Sequence, residues 1–185
     1  MNDRLIVQIA GENRAGKSEV AKHLAEQHDF SVVLISDIIR AYADMRGTIL
    51  AQRDSYLRTF KQMKVDLGSD VVASTVLETD GQRVCVDGNR VPADVERLRG
   101  VGAKLIALDC PAKIRFERAK KLQSPLDRLT LEEFIADDEA ESFSQDPEYP
   151  NLRAVMAMAD YRVDSSRPLS QVVEDINKIV LPLLN

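Results

Sequence analysis

Apolar residues along this chain gather in two rhythms. Short, nearly unbroken runs of strand length stand at Arg4 to Ala10 (Leu5-Ile6-Val7-Gln8-Ile9), Phe30 to Ile35, Gln82 to Asp87 (Val84-Cys85-Val86 at the centre), Ala103 to Leu108 and Ala159 to Val163. Runs without polar alternation are expected of strands buried on both faces. Between them apolar positions recur with helical spacing. Val20, Ala21, Leu24 and Ala25 follow the first run, and Ser36-Asp37 opens a helix through Ile38, Ile39 and Arg40 to about Arg46, where Gly47 ends it. Tyr56, Phe60, Met63 and Leu67 form a stripe up to Gly68 that reads as core packing, and Ser69-Asp70 leads into Val71 to Leu77. A short helix is predicted around Ala93 to Leu98. Pro111 starts a basic one carrying Lys113, Arg115, Arg118, Lys120 and Lys121. Helical spacing returns from Leu152 to Met158 and from Leu169 to Leu184.

Strands alternating with helices predict an α/β fold in three layers: a central, mainly parallel five-stranded sheet with right-handed crossovers and helices on both faces. Ligands of such sheets bind beyond the carboxyl ends of the strands. With 185 residues and no internal repeat or linker, one domain spanning 1–185 is expected.

Composition narrows the picture. A formal charge of −5 argues against nucleic-acid or membrane partners, which favour a basic face. No apolar run approaches the ~20 residues of a membrane span. The first strand begins almost at the N-terminus, which leaves no room for a signal peptide and makes the cytoplasm the expected compartment. Cys85 and Cys110 lie in or beside apolar runs without metal-ligand spacing and read as buried thiols of a reducing compartment. His23 and His28, on or at the end of the first helix, read as packing residues. Between Ser124 and Pro150 the chain turns polar and acidic, with Glu132, Glu133, Asp137, Asp138, Glu139 and Glu141.

The chemistry concentrates in Gly11-Glu12-Asn13-Arg14-Ala15-Gly16-Lys17-Ser18, which fits G-x-x-x-x-G-K-[ST] in full and stands between a predicted strand and a predicted helix. Successive backbone N–H groups of such a loop make a nest for phosphate oxygens, reinforced by the positive end of the following helix. Lys17 would neutralise the β- and γ-phosphates of ATP, and Ser18 would be a ligand of Mg²⁺. Asp87 ends the third strand and could hold Mg²⁺ directly or through water. Arg40, one turn into the second helix, and Arg90, just past the third strand, bring planar forks suited to the phosphate of a second, anionic substrate.

These motifs resemble the nucleoside monophosphate kinases. Ser36-Asp37-Ile38-Ile39-Arg40 is similar to the adenylate kinase motif whose arginine holds the acceptor phosphate, and Asp87-Gly88-Asn89-Arg90 to the strand-end motif whose arginine lies between donor and acceptor. Over almost the whole chain the likeness is to the archaeal adenylate-kinase-related proteins, which also look similar to dephospho-CoA kinases. It takes in Gly16-Lys17-Ser18-Glu19, Arg115-Phe116-Glu117-Arg118, Glu132-Glu133-Phe134 and Ala159-Asp160-Tyr161. The resemblance implies a P-loop NTPase fold with a helical lid. Residues 36–80 would form an acceptor-binding helical region and 120–150 the lid. Two positions depart from the pattern. Arg14 replaces the usual glycine and is similar to the catalytic arginine in the loop of thymidylate kinases, and Asp137 stands where relatives carry a lid arginine.

The reaction implied is in-line transfer of the γ-phosphoryl group of MgATP to a phosphate-bearing small molecule, by positioning and charge neutralisation. Lys17, Arg14 and Arg90 are the catalytic candidates. Residues 11–19 with Arg118 are those for ATP, Asp37, Arg40, Asp87, Arg90 and Arg115 those for the acceptor, and Ser18 and Asp87 those for the metal. Arg128 is a further lid candidate, and Glu12 and Asn13 could meet an acceptor sugar. Dephospho-CoA is the alternative acceptor, and a kinase of a neutral metabolite or a regulatory NTPase that needs no second substrate are the other readings. The assembly is expected to be a monomer or homodimer.

Overall fold

A computed structural model describes residues 4–50, 53–122, 130–140 and 144–184. Its centre is a five-stranded sheet in the order β2-β3-β1-β4-β5, parallel at every pairing. The strands are β1 (Leu5–Ala10), β2 (Ser31–Leu34), β3 (Arg83–Asp87), β4 (Lys104–Asp109) and β5 (Tyr161–Asp164). The three inner strands are almost wholly buried, which is why their sequences carry no polar alternation.

Side chains alternate across the sheet, and each face has its own core. Val7, Ile9, Cys85, Ile106 and Leu108 face α1 (Lys17–His28) and α9 (Leu169–Val180), meeting Val20, Leu24, Val172 and Ile176. On the opposite face Ile6, Val33, Val84 and Val86 pack against α2 (Ile35–Met45), α3 (Arg53–Leu67) and α4 (Val71–Glu78). There Leu105 and Ala107 meet α5 (Pro92–Arg99) and α8 (Leu152–Ala157). To one side, α6 (Ala112–Lys121) and α7 (Leu131–Ala140) join through Phe116 and Phe134, with ring centroids 5.6 Å apart.

Register sets the functional edge. Ile9 pairs with Asp87 and Ile106, and Leu34 with Asp87, so β1, β2 and β3 end level with one another. The chain after Ala10, after Leu34 and after Asp87 therefore emerges at one rim.

Some boundaries differ from the sequence reading. β2 stops at Leu34, and Ile35 already belongs to α2, one residue before the Ser36-Asp37 start signal. Of the α3 stripe, Phe60 and Met63 are buried, whereas Leu67 is 52% exposed. The closing helix ends at Val180 and passes into a 3-10 turn over Leu181–Leu183, where Pro182 has no N–H to donate. Cys85 and Cys110 are free and buried, and burial pushes the Cys85 thiol up. The Nε2 atoms of His23 and His28 sit 2.9 and 2.8 Å from Asn177 Oδ1, tying α1 to α9. Among the described residues no helix is long and apolar enough to cross a membrane.

Candidate active site

β1 delivers the chain into the glycine loop, and α1 begins at Lys17. A Cβ at Gly11 would lie 3.0 Å from the carbonyl oxygen of Leu108, so the loop passes too close to β4 for a side chain. Gly16 caps α1 with φ 101°, a conformation that favours glycine, and beyond its neighbours in the chain no atom of the described residues lies within 4 Å of where its Cβ would stand. The loop thus presents an open concave face at the positive end of a helix, a fit for the phosphates of a nucleotide. Arg14 also holds a left-handed backbone (φ 65°), without being glycine.

Lys17 folds over this concavity. Its Nζ donates to the carbonyls of Gly11 at 2.9 Å and Glu12 at 3.0 Å. Burial lowers its pKa, and the charges of Asp87 and Glu12 act against that. Ser18 Oγ donates to Asp87 Oδ2 at 3.0 Å. Asp87, only 6% exposed, has its pKa raised by burial, with Lys17 and the Ser18 hydrogen bond pulling the other way. A hydroxyl and a carboxylate side by side at the mouth of the loop are hard oxygen donors of the kind Mg²⁺ prefers.

The turn after β3 is held by amides. Asn89 Nδ2 donates to Gln8 Oε1 at 2.9 Å, and Asn89 Oδ1 accepts from Val91 N at 3.2 Å. Both side chains are buried, and a glutamine inside the apolar run of β1 was the sequence signal for this pair. Asn89→Ala leaves Gln8 Oε1 and the Val91 amide without these partners, so a loss of about 1–3 kcal/mol in urea unfolding is expected. The turn aims Arg90 at the glycine loop, where its NH2 donates to Asn13 Oδ1 at 2.9 Å.

Arg40 enters from α2. It forms an ion pair with Asp37 and donates from Nε to Tyr56 Oη at 3.3 Å, both of which raise its pKa, the Tyr56 bond most. Lys17, Ser18, Arg40, Asp87 and Arg90 all line one cleft of about 770 Å³, together with Tyr56, Phe60 and Tyr149.

Other candidates stand elsewhere. Asp37 is exposed beside Arg40, and Glu19 is exposed on the first turn of α1. Arg115 and Arg118 are not on the cleft wall; they brace the loop from behind. Arg115, 4% exposed, donates to the carbonyls of Cys110 at 2.9 Å and Asn13 at 3.2 Å and pairs with Asp138 at 2.5 Å. Arg118 reaches the carbonyls of Arg14 at 3.3 Å and Ser165 at 2.6 Å. The basic helix and the acidic segment are thereby joined at Asp138. Arg128 and the side chain of Asp137 lie outside the described residues. Sequence reasoning took Tyr56 and Phe60 for core alone and passed over Asp94, which also lines the cleft.

Comparison with known proteins agrees with this fold. A family model described as an AAA domain matches residues 7–142. The UPF0200 protein of Hyperthermus butylicus is 30% identical over 183 residues, covering 96% of this chain and 94% of that one. The UPF0200/UPF0201 protein of Archaeoglobus fulgidus is also 30% identical, over 96% of this chain, but the chain spans only 55% of that relative's length. Among solved structures, TT1252 from Thermus thermophilus superposes with a TM-score of 0.67 at 16% identity over 98% of both chains. Shikimate kinase from Aquifex aeolicus gives 0.56 at 18% identity, over 95% of this chain and 96% of that one. The fold is that of the P-loop kinases.

Proposed function

Given that the chain belongs to the AAA domain family and to the UPF0200 family, we propose that it transfers the γ-phosphoryl group of MgATP to a nucleoside monophosphate or a similar phosphate-bearing small molecule. The observation that carries this reading is the single cleft shared by the glycine loop and by two arginines from other segments, Arg40 and Arg90. A hydrolytic switch has no need of a second phosphate pocket beside the first.

The amides of residues 11–18 and Lys17 hold the donor phosphates, with Glu19 following on the first turn of α1. Ser18 and Asp87 hold Mg²⁺. When bound, MgATP supplies the phosphoryl group and a cation that neutralises developing charge. Arg40, oriented by Asp37, and Arg90 position the acceptor, while Arg115 and Arg118 keep the loop in shape from the opposite side. Residues 36–80 serve as the acceptor-binding region of a single domain; of the 120–150 region expected as its lid, 123–129 and 141–143 lie outside the described residues, and a lid's role there would be to exclude water from the cleft.

Arg14 is the loop's own source of transition-state charge. Because its φ is 65°, Arg14→Gly removes the guanidinium without backbone strain. Turnover is expected to fall about 10²- to 10³-fold; unchanged turnover would remove Arg14 from the machinery.

A coupled ADP-release screen of the purified protein across nucleoside monophosphates, dephospho-CoA and the neutral sugar glucose tests the reaction. Monophosphate-dependent release supports the proposal. Release with dephospho-CoA alone identifies that acceptor instead, and release with glucose alone overturns the role of the arginine pair. Slow release indifferent to every acceptor marks a nucleotide switch.

A further inference from the structure

Lys64 of α3, Asp94 and Arg97 of α5 and Glu148 form a cluster in which two positive charges meet two negative ones. Lys64 Nζ lies 2.9 Å from Asp94 Oδ1 and 3.1 Å from Glu148 Oε2. Arg97 reaches the same Asp94 Oδ1 at 2.9 Å and Glu148 Oε1 at 2.5 Å. Both cations therefore converge on one oxygen of Asp94. The other, Oδ2, is buried and has no hydrogen-bond partner among the described residues. Such an oxygen is costly to leave unserved, and a ligand that brings the donor removes the penalty.

Its surroundings say what kind of donor fits. Asp94 lines the cleft that Lys17 and Arg90 line, in the first turn of α5, and its side chain is 1% exposed. The cluster is already balanced in charge, so a neutral donor suits it better than a cation. Flat apolar walls stand nearby: Tyr56, Phe60 and Tyr149 line the same cleft, and Lys64 Nζ lies 5.1 Å from the centre of the Phe60 ring. Burial works to raise the Asp94 pKa, and Lys64 and Arg97 work to lower it. With both cations on Oδ1, the geometry is that of a carboxylate whose Oδ2 accepts.

We propose that Asp94 selects the acceptor: Oδ2 receives a hydrogen bond from an exocyclic amino group on a planar ring whose phosphate is held at Arg40 and Arg90. The assignment rests on the phosphate-bearing acceptor proposed above. An amino group projects from the ring edge, away from the phosphate, and meets Oδ2 once the wall over that buried oxygen shifts, whereas a sugar hydroxyl sits next to the phosphate at the arginine end.

The test compares AMP, GMP and CMP, each with the analogue in which hydrogen replaces the amino group, and each with its 2′-deoxy form. For at least one base the wild-type protein is expected to favour the amino compound by about 10²-fold or more in kcat/KM, since a site built around a substrate N–H rejects the analogue lacking it. In Asp94→Asn the amide oxygen stays with Lys64 and Arg97, which can only donate, and the NH₂ turns to where Oδ2 stood. The variant should lose or reverse the preference. The wild-type comparison decides the matter even if the variant folds poorly. If no monophosphate is phosphorylated, the nucleoside monophosphate reading falls and takes this inference with it. If monophosphates are used but amino and deamino forms react alike, the role of Asp94 alone is refuted. Discrimination confined to ribose against deoxyribose puts the donor on the sugar and overturns the proposal, as does a variant that slows every acceptor equally while keeping the preference.

Discussion

Lys17→Ala is expected to reduce acceptor-dependent phosphoryl transfer by about 10³-fold or more, in the range found when a preorganised charge at the transferring group is removed. The lysine is held by the carbonyls of Gly11 and Glu12 over the open face of the loop, with Asp87 as a nearby counter-charge. Partial burial and the two carbonyl bonds hold its ammonium in place before any ligand arrives, so it needs little reorganisation when negative charge builds on the phosphoryl oxygens. The loss should fall mainly on kcat, because the backbone amides that grip the ground-state phosphates remain. A KM for ATP within about tenfold of wild type goes with that division. Stability should change little, since the carbonyls that lose the lysine face an open cleft. Rapid-quench measurement of a single turnover gives the chemical step directly. A variant retaining a tenth of wild-type turnover would show that the charge on Lys17 is not used in transfer.

The parts of this site that could be read from the sequence are those whose meaning is local. Gly11 to Ser18 is a continuous motif, and the runs before and after it fix its place between a strand and a helix. Asp87 and Arg90 are tied to the end of β3 by covalent spacing alone, and parallel register then brings them level with the loop. The β2–α2 boundary could not be read, because Ile35 is 8% exposed at the start of a helix and would be as deeply buried at the end of an inner strand. Hydrophobicity does not mark where one buried element hands over to another. The Asp94 cluster was hidden for another reason: its partners Lys64 and Glu148 come from distant segments, and a charged residue in a short amphipathic helix looks solvent-facing until the fold covers it. The bracing contacts of Arg115 and Arg118 were hidden by the same limit. Their spacing on α6 marks them as one face of a helix, but only the tertiary structure shows that this face meets carbonyls behind the glycine loop.

Arg115→Met is expected to be the most destabilising single substitution at the site, by about 3–5 kcal/mol in denaturant unfolding. The guanidinium is nearly inaccessible and serves three acceptors on three segments: Cys110 after β4, Asn13 in the loop and Asp138 on α7. Methionine replaces the apolar stem that packs beside Phe134, where the guanidinium carbon lies 5.4 Å from the ring centre, but it brings no donor. Asp138, 12% exposed, is then left as a largely buried carboxylate that has lost its ion-pair partner. Arg115→Lys should recover less than half of the loss, since one ammonium on a flexible stem does not reproduce a rigid fork spanning several acceptors. Adding Asp138→Leu to Arg115→Met should restore most of it, because removing both charges also removes the desolvation penalty. That rescue separates a buried pair from a phosphate ligand. If the single substitution costs under about 1 kcal/mol, the level of an exposed ion pair, while the KM for ATP rises sharply, Arg115 contacts nucleotide after all. With the expected pattern, α6 acts as the rigid back of the glycine loop, and the link from Asp138 through Arg115 to the Asn13 carbonyl becomes the route by which the position of α7 is felt at the loop.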